Sequence, residues 1–397
     1  MPEIKTVLCA TIDPWSEPMG GHVTLSKQLI QAFGPRLAVA SVCSEALPEG
    51  RWLSRDFNGQ EIQFFSFGRF QLPKGPKPLI PVRLQIYWKA KRHMSRLYES
   101  GVRNLLLESP ELLFAASSFQ WDSVCYNFAG VTNPVTYSRY RMARIFGPLF
   151  EDRMIAAFHR IRPEVLIAAA DGDAISKMQE RTQGRLKQFP IYSFPTRVDT
   201  RKYYPENKTE SRDRVGLPQN ATVLLSLGRL SWKNGWALPL DAVRLLSRSI
   251  PNLKMVFVGD GEDRGQIEAK ASLLGIRDNI LITGFLPYDQ VRAYINAADV
   301  CLVASHWEGW SAAMIEEVAC GRPIVSTSVS GATSLIRQGS NGYILPTRDP
   351  ACYAEAIVKA LHLPSVADVS LPIAEQYAVT NLARDLGALW RPLAPVS

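Results

Sequence analysis

The sequence has no run of about 18 uncharged apolar residues, so no segment of it reads as a membrane span. Its beginning, "MPEIKTVLCATID", lacks a basic region followed by a long apolar stretch, and no secretory signal is expected. Cysteine is scarce and scattered: Cys9, Cys43, Cys125, Cys301, Cys320 and Cys352 lie far apart, mostly inside apolar runs. That spacing fits neither a zinc site nor a disulfide framework, and the expectation is reduced, buried thiols in a cytoplasmic protein. Internal repeats and low-complexity tracts are missing too, which excludes solenoid and tail-like architectures.

What is present is ordinary for a globular chain, with 46% apolar and 21% charged residues. At 397 residues it exceeds the size at which a single core keeps growing, so two domains are expected. The net charge of +8 is held unevenly. Residues 1–200 contain 25 Lys and Arg against 18 Asp and Glu, while residues 201–397 contain 20 against 19. Partners of the first half are therefore expected to be anionic. No nucleic-acid partner is expected.

Short apolar runs alternate with helical patterns, the signature of α/β architecture with parallel strands. In the first half, "TVLCAT", "RLAVASV", "EIQFFSF", "LLFAASSF" and "EVLIAAA" read as strands, and "GHVTLSKQLIQAF" and "GPLFEDRMIAAFHRI" as helices. Residues 194–220, rich in Pro, Asn and charge, read as the hinge. Beyond it the alternation restarts with "TVLLSLGRL", then a helix from about Ala237. "KMVFVGDG", "NILITGFL", "DVCLVAS" and "RPIVSTS" follow as strands. The expected division is 1–195, 196–375 and a C-terminal helix in 376–397 returning to the first domain, with function at the strand C-terminal edges.

Several motifs carry chemistry. "GRLSWKNG" puts Gly228 and Arg229 at a strand end, where a guanidinium can hold a diphosphate with two parallel hydrogen bonds; taken alone, a surface arginine in a strand–helix turn is the better reading. "VFVGDGEDRG" spaces Gly259, Gly261 and Gly265 like a dinucleotide fingerprint. It follows the second strand of its domain rather than the first, so a tight turn is the better reading and an oxidoreductase is disfavoured. Asp171 and Asp173 in "AAADGDAIS" could ligate a divalent cation or simply form a turn and helix cap. Gly20 and Gly21 precede the first helix and would let a ligand approach backbone amides, or merely form a flexible loop. In "HWEGWSAAMIEEVACGRPIV", Glu308 stands just before a helix and Glu316 two turns into it. Glutamates at that spacing also fit a solvated face.

Taken together, these segments resemble the family 4 glycosyltransferases, retaining enzymes of the GT-B fold that use nucleotide-sugar donors. The resemblance is strongest from about Pro195 to Leu363, through "VDTRKYYP", "LSLGRLSWKNG", "VFVGDGE", "ITGFLPYDQVRAYINAADVCLVAS", "EGWSAAMIEEVACGRPIVST" and "GSNGYILP". In the first domain it runs through the Gly-Gly loop and "AGVTNPVTYSRY". It implies two doubly wound Rossmann-like domains facing across a cleft, with the first on the acceptor side. It also implies that Glu308 contacts sugar hydroxyls, that Glu316 accepts from the ribose diol, and that Arg229 neutralises the leaving diphosphate beside a lysine, a place for which Lys233 is the candidate and whose reach the sequence leaves open. The amides of Trp310, Ser311 and Ala312 would face the donor. Gly309, Asn234, Asp260, Phe285 and Leu286, with the glycines at 20, 21, 228 and 259, would complete its pocket. No metal or other cofactor is implied, and a front-face displacement is the usual proposal.

Two departures stand out. The family's lysine directly before the glycine is replaced here by Asn234, with Lys233 one position earlier. The first-domain loop "YNFAGV" carries Asn127 and Ala129 but no histidine. These keep open a second reading, a GT-B shell that binds nucleotide sugars or regulates without turnover. On the acceptor side, residues 74–103 combine Lys74, Lys77, Arg83, Lys89, Lys91, Arg92, Arg96 and Arg103 with Leu79, Ile80, Val82, Leu84, Ile86, Tyr87 and Trp88. Such a stretch can lie on an anionic membrane surface, which suits a glycan or polyprenol-linked acceptor and a peripheral position on the inner face of the cytoplasmic membrane. It can equally be a solvated helix whose apolar stripe packs inward.

Overall fold

Runs of Val, Leu, Ile and Cys too short for a helix form strands buried on both faces, as parallel sheets covered by helices require. The computed structural model describes residues 4–16, 21–71, 78–128, 131, 133, 135 and 145–394. They belong to two compact units, residues 1–196 with 380–397, and residues 197–379.

The first unit is built on eight strands: β1 (Thr6–Cys9), β2 (Ala38–Cys43), β3 (Trp52–Phe57), β4 (Gln60–Arg69), β5 (Asn104–Leu107), β6 (Ser123–Phe128), β7 (Val165–Ala168) and β8 (Ile191–Ser193). Their order across the sheet is β3-β4-β2-β1-β5-β6-β7-β8. All pairs are parallel except β3 with β4. That hairpin turns at Asn58-Gly59, both at positive φ (53° and 81°), the conformation a two-residue turn demands and these residues tolerate. From β1 the chain builds outward to β2 and β4, then returns so that β5 lies on the other side of β1.

One expected strand is a helix. The first five residues of "LLFAASSF" fall in the helix Pro110–Ala116, which Ser109 caps by accepting a hydrogen bond from the Leu112 amide. Ser at the cap, Pro at the first turn and Glu111 beside the helix dipole all favour that outcome. The true strand is the preceding "NLLL" of β5. The helices expected at "GHVTLSKQLIQAF" and "GPLFEDRMIAAFHRI" occupy Gly21–Phe33 and Gly147–Ile161. Five of the six cysteines are buried and Cys352 is exposed; all six are free.

The second unit has six parallel strands: β9 (Thr222–Leu227), β10 (Leu253–Val258), β11 (Ile280–Ile282), β12 (Val300–Val303), β13 (Ile324–Thr327) and β14 (Gly342–Leu345). Their order is β11-β10-β9-β12-β13-β14. Here too the chain builds outward, from β9 to β11, and then reverses, so that β12 pairs with the other side of β9. Loops leaving the C-terminal ends of two strands at such a reversal diverge, and ligands of doubly wound sheets bind in the crevice between them.

Residues 380–393 complete the first unit's core. Leu382, Leu386 and Trp390 are fully buried in a cluster with Leu29, Ile30 and Phe33 of the first helix. The Trp390 indole N–H donates to Ser123 Oγ at 2.6 Å. Trp390→Ala should therefore destabilise the chain by about 3–5 kcal/mol, the range for removing a buried aromatic. Chemical denaturation followed by circular dichroism measures it; a cost below about 1 kcal/mol would take this segment out of the core.

Candidate functional site

The expected site residues beyond Gly20 and Gly21 all lie in the second unit, on loops that leave its strands at their C-terminal ends or, for Ala312 and Glu316, on the helix that follows one of them. Gly21 begins the Gly21–Phe33 helix, and Gly20 lies outside the described residues, as do Lys74, Lys77 and Ala129.

The loop after β9 lies directly on the loop after β10. A Cβ placed on Gly259 would meet the Gly228 carbonyl oxygen at 2.0 Å, and one on Gly261 would meet that of Leu230 at 2.2 Å. Gly228 and Gly259 also sit at φ +136° and +139°, where a side chain is strained. The Gly228 amide donates to Val258 (3.0 Å), the Leu230 amide to Asp260 (3.0 Å), and the Asp263 amide back to Leu230 (3.1 Å). These glycines thus serve backbone-on-backbone contact, and a dinucleotide fingerprint is not needed to explain them. Gly259 also bridges to Gly284, beyond which Phe285 stands 77% exposed and Leu286 is half-buried. The Asp260 carboxylate turns back to its own loop, accepting from the Gly261 amide at 2.8 Å and lying 3.7 Å from Arg264. Arg229 is exposed, its Nε donating to Glu262 Oε2 at 3.0 Å. An exposed ion pair of this kind contributes little, so the guanidinium can trade Glu262 for a stronger anion.

The loop after β12 is locked to the same β9 loop. Trp232–Asn234 form one turn of 3-10 helix ended by Gly235 at φ +68°. A Cβ on Gly235 would lie 1.8 Å from the Ala304 carbonyl oxygen. The His306 amide donates to the Lys233 carbonyl (2.8 Å), and Arg348 clamps the carbonyls of Ala304 (2.8 Å) and Ser305 (3.1 Å). The rings of Trp232 and Trp307 meet edge to face at 5.0 Å, with His306 5.6 Å from Trp232. A 3-10 turn rotates about 120° per residue, so Lys233 and Asn234 leave it in different directions. The Lys233 ammonium lies over the Trp307 ring, 5.9 Å from its centre. The Asn234 amide nitrogen is 3.3 Å from where a Gly228 Cβ would stand, and its oxygen accepts from Ser231 Oγ at 3.3 Å.

Glu308 is held by Ser305, whose hydroxyl donates to Oε1 at 2.7 Å. The helix that follows is Ala312–Ala319, capped by Ser311, whose Oγ accepts from the Met314 amide at 3.3 Å. Its first-turn amides begin at Ala312. Ser311 is the cap rather than part of the helix, and the Trp310 ring is buried, 5.2 Å from that of Tyr377. Glu316 keeps some exposed surface, yet protein surrounds its carboxyl closely. Burial pushes it up to about 8, opposed by a hydrogen bond from the Tyr203 hydroxyl. Glu317, next along the helix, is wholly buried with both carboxyl oxygens unpartnered. Burial first, and Glu316 second, push it well above the ordinary carboxylate range. Tyr203, Glu262, Glu317 and Arg348 were not singled out in the sequence.

In the first unit, Asp171 caps the Gly172–Arg181 helix by accepting from the Ala174 amide at 2.9 Å, with Asp173 in its first turn. That is the turn-and-cap arrangement. Among the described residues no group of three or more His, Cys, Asp or Glu could hold a metal ion.

Residues 207–372 match the model of the family described as glycosyl transferases group 1. A D-inositol 3-phosphate glycosyltransferase of Acidothermus cellulolyticus is 31% identical over 176 residues, covering 42% of this chain and 39% of that protein. The chain thus spans well under half the length of that curated relative. Among solved structures, the sucrose-phosphate synthase of Thermosynechococcus elongatus superposes with a TM-score of 0.72 at 16% identity, over 98% of this chain and 99% of that one. Anabaena HepE in complex with UDP-glucose superposes with a TM-score of 0.68 at 16% identity, over 96% and 98%. The fold is GT-B. The GT-B likeness extends over almost the whole chain, whereas the family match is confined to the second unit, where the two locked loops lie.

The buried acids of this unit give it a pH signature. Glu316 and Glu317 bind a proton more tightly folded than unfolded, so their contribution to stability is full below about pH 4.5 and is lost as the pH rises through their folded values. Glu317→Gln should change the Tm little at pH 5 and raise it at pH 8.5. A Tm difference between variant and parent that is the same at both pH values would show that Glu317 does not titrate upward.

Proposed function

We propose that the chain is a retaining glycosyltransferase that moves a sugar from a nucleoside-diphosphate donor to a glycan or polyprenol-linked acceptor in surface polysaccharide synthesis. The observation that carries this is the meeting of two loops where the chain order reverses in the second unit. One loop bears Arg229 and Lys233; the other bears Glu308 and leads into the Ala312–Ala319 helix. Residues 207–372, which match the family model, include all of them. That HepE, a protein of like fold, holds UDP-glucose supports a nucleotide-sugar donor.

In this reading Arg229 leaves Glu262 for the diphosphate, Lys233 supports it from its seat on Trp307, and the helix amides add partial positive charge. Glu308 orients the sugar hydroxyls, and Glu316 takes the ribose diol. The bond from the anomeric carbon to the phosphate oxygen breaks as the acceptor oxygen adds on the same face. The acceptor proton passes to the departing phosphate. Developing negative charge is met by fixed cations and amides, so no metal is assigned a role.

Titration with UDP-glucose and an assay for UDP release test this. Arg229→Ala and Lys233→Ala should each cost turnover about 2.7–4 kcal/mol, by comparison with loss of one oxyanion donor. Glu316→Ala should weaken nucleotide binding by about 1.5–3 kcal/mol. Because a diol prefers the charged carboxylate, affinity should rise as the pH approaches 8, and Glu316→Gln should abolish that rise. EDTA should leave turnover intact. A chain that binds the donor but releases no UDP with any acceptor would be a binding shell, and one that binds no nucleotide sugar would overturn the reading.

The acceptor side of the proposal includes peripheral attachment to the cytoplasmic face of a membrane. Among the described residues no single helix is long and apolar enough to cross a membrane. The Val82–Glu99 helix has two faces: Ile86, Ala90, His93, Met94 and Leu97 are buried, while Leu84, Trp88, Lys91 and Arg92 are exposed on the other side. Leu79 and Ile80 are exposed just before it. The inward stripe anchors the helix, and the outward face keeps both charge and apolar bulk for an anionic surface. Co-sedimentation should be stronger with anionic than neutral vesicles and weaken with salt, each cation contributing about 1 kcal/mol. Equal, weak binding to both would leave the helix a purely structural element.

A further inference from the structure

Glu308 takes its direction from Ser305, and Ser305 is itself fixed from two sides. The pairing of β12 with β13 ends where Val303 meets Ser326. Beyond that point the chain continues as Ala304 and Ser305, both buried although neither belongs to a strand. Thr327, the last residue of β13, extends the join by one bond: its buried hydroxyl donates to the Ser305 carbonyl at 2.8 Å. The same carbonyl accepts from Arg348 Nη1 at 3.1 Å, and that nitrogen also reaches the Ala304 carbonyl at 2.8 Å. A carbonyl oxygen has two lone pairs, so both of those on Ser305 are in use.

This support passes on to a side chain. With its peptide pinned, Ser305 presents its hydroxyl to Glu308 Oε1 at 2.7 Å. A carboxylate anchored through one oxygen cannot swing without breaking that contact, so its second oxygen keeps a fixed direction. A glutamate free to turn would give up its rotamer freedom on meeting a ligand. Here that loss has already been met in folding. The supporting groups come from different loops, Ser305 after β12, Thr327 at the end of β13 and Arg348 after β14. Arg348 has a second task, since its Nη2 lies 2.6 Å from where a Cβ on Gly235 would stand. It therefore also backs the turn that bears Lys233.

We propose that Ser305, Thr327 and Arg348 are positioning residues that hold the Glu308 carboxylate in the direction from which it receives the hydroxyls of the donor sugar. The inference rests on the transferase reading and adds a division of labour to it. Thr327 acts on the sugar end alone, whereas Arg348 acts both there and on the turn that bears Lys233.

The test is calorimetric titration of the full chain with UDP-glucose, UDP-N-acetylglucosamine and GDP-mannose, each beside its free nucleoside diphosphate. The readout is the ratio of the two affinities, because general loosening of the unit would weaken both and leave the ratio unmoved. Ser305→Ala removes a hydrogen bond to a charged group and should weaken the sugar nucleotide roughly tenfold, with the free nucleotide changed less than about twofold. Thr327→Val, which keeps the shape and removes the donor, should act in the same direction, and Thr327→Ser should restore the parent ratio. Arg348→Met should lower both affinities. In a Glu308→Ala background neither Ser305→Ala nor Thr327→Val should move the ratio further, because their route to the sugar is gone. Circular dichroism checks folding, and Ser305→Ala with its Glu308→Ala double variant carries the test if Thr327→Val does not fold. An unmoved ratio in the folded variants, or an effect that persists without Glu308, would overturn the proposal and leave the donor reading standing. A parent chain that binds none of the nucleotides overturns both.

Discussion

The second unit depends on one steric fact: three loops meet there backbone against backbone at their glycines. The Gly228 carbonyl occupies the place a side chain at Gly259 would need, the Leu230 carbonyl that of Gly261, and the Ala304 carbonyl that of Gly235. Close-packed main chain lets amides of one loop satisfy carbonyls of the next, and the Arg348 clamp and the Trp232–Trp307 contact add side-chain support to those hydrogen bonds. Their side chains are then released to face outward. Arg229, Lys233 and Glu308 project from a framework that does not need them for its own stability.

How much of this is legible in the sequence differs by element. The five strands expected in the second unit are all present, because fully buried parallel strands appear as unbroken apolar runs ended by Gly or a polar residue. Such runs cannot by themselves be told from buried helix, and "LLFAASSF" shows the cost. There the Ser-Pro-Glu that precedes the apolar residues was the arbiter, and it signalled a helix start. β14 is an edge strand whose Tyr343, Ile344 and Leu345 are only partly buried, and it lacks the long apolar run that marks its neighbours. For the site, the loop each residue occupies follows from strand position, but what each touches does not. The contacts of Glu316 with Tyr203, Arg229 with Glu262 and Lys233 with Trp307 join residues distant in the chain. The direction of Lys233 turned on whether its turn was 3-10 or α, which the sequence leaves open.

Both units surround carboxyl groups closely with protein, at Glu108, Glu316 and Glu317. Burial disfavours their charged form, and the environments then separate them. Glu108 has a hydroxyl partner in Ser26 and lies beside a cavity; Glu316 has one in Tyr203 and lies on the helix that follows Glu308. Glu317 has neither partner nor cavity, and nothing in the structure gives it a functional task. The same chemistry thus appears twice where ligands are expected and once in the core.

The assignment of residues 380–393 to the first unit reaches beyond packing. As the chain emerges from the ribosome, the first unit's sheet is made early, but Leu382, Leu386 and Trp390 arrive only after residues 197–379 have been synthesised. The second unit, continuous in sequence, can close its core while the first still exposes the apolar faces of its opening helix. Domains generally fold as units in order of synthesis, and exposed apolar surface is where nascent chains misassemble. For this chain the order of completion is inverted, and the segment that begins first is the one left waiting for its last helix.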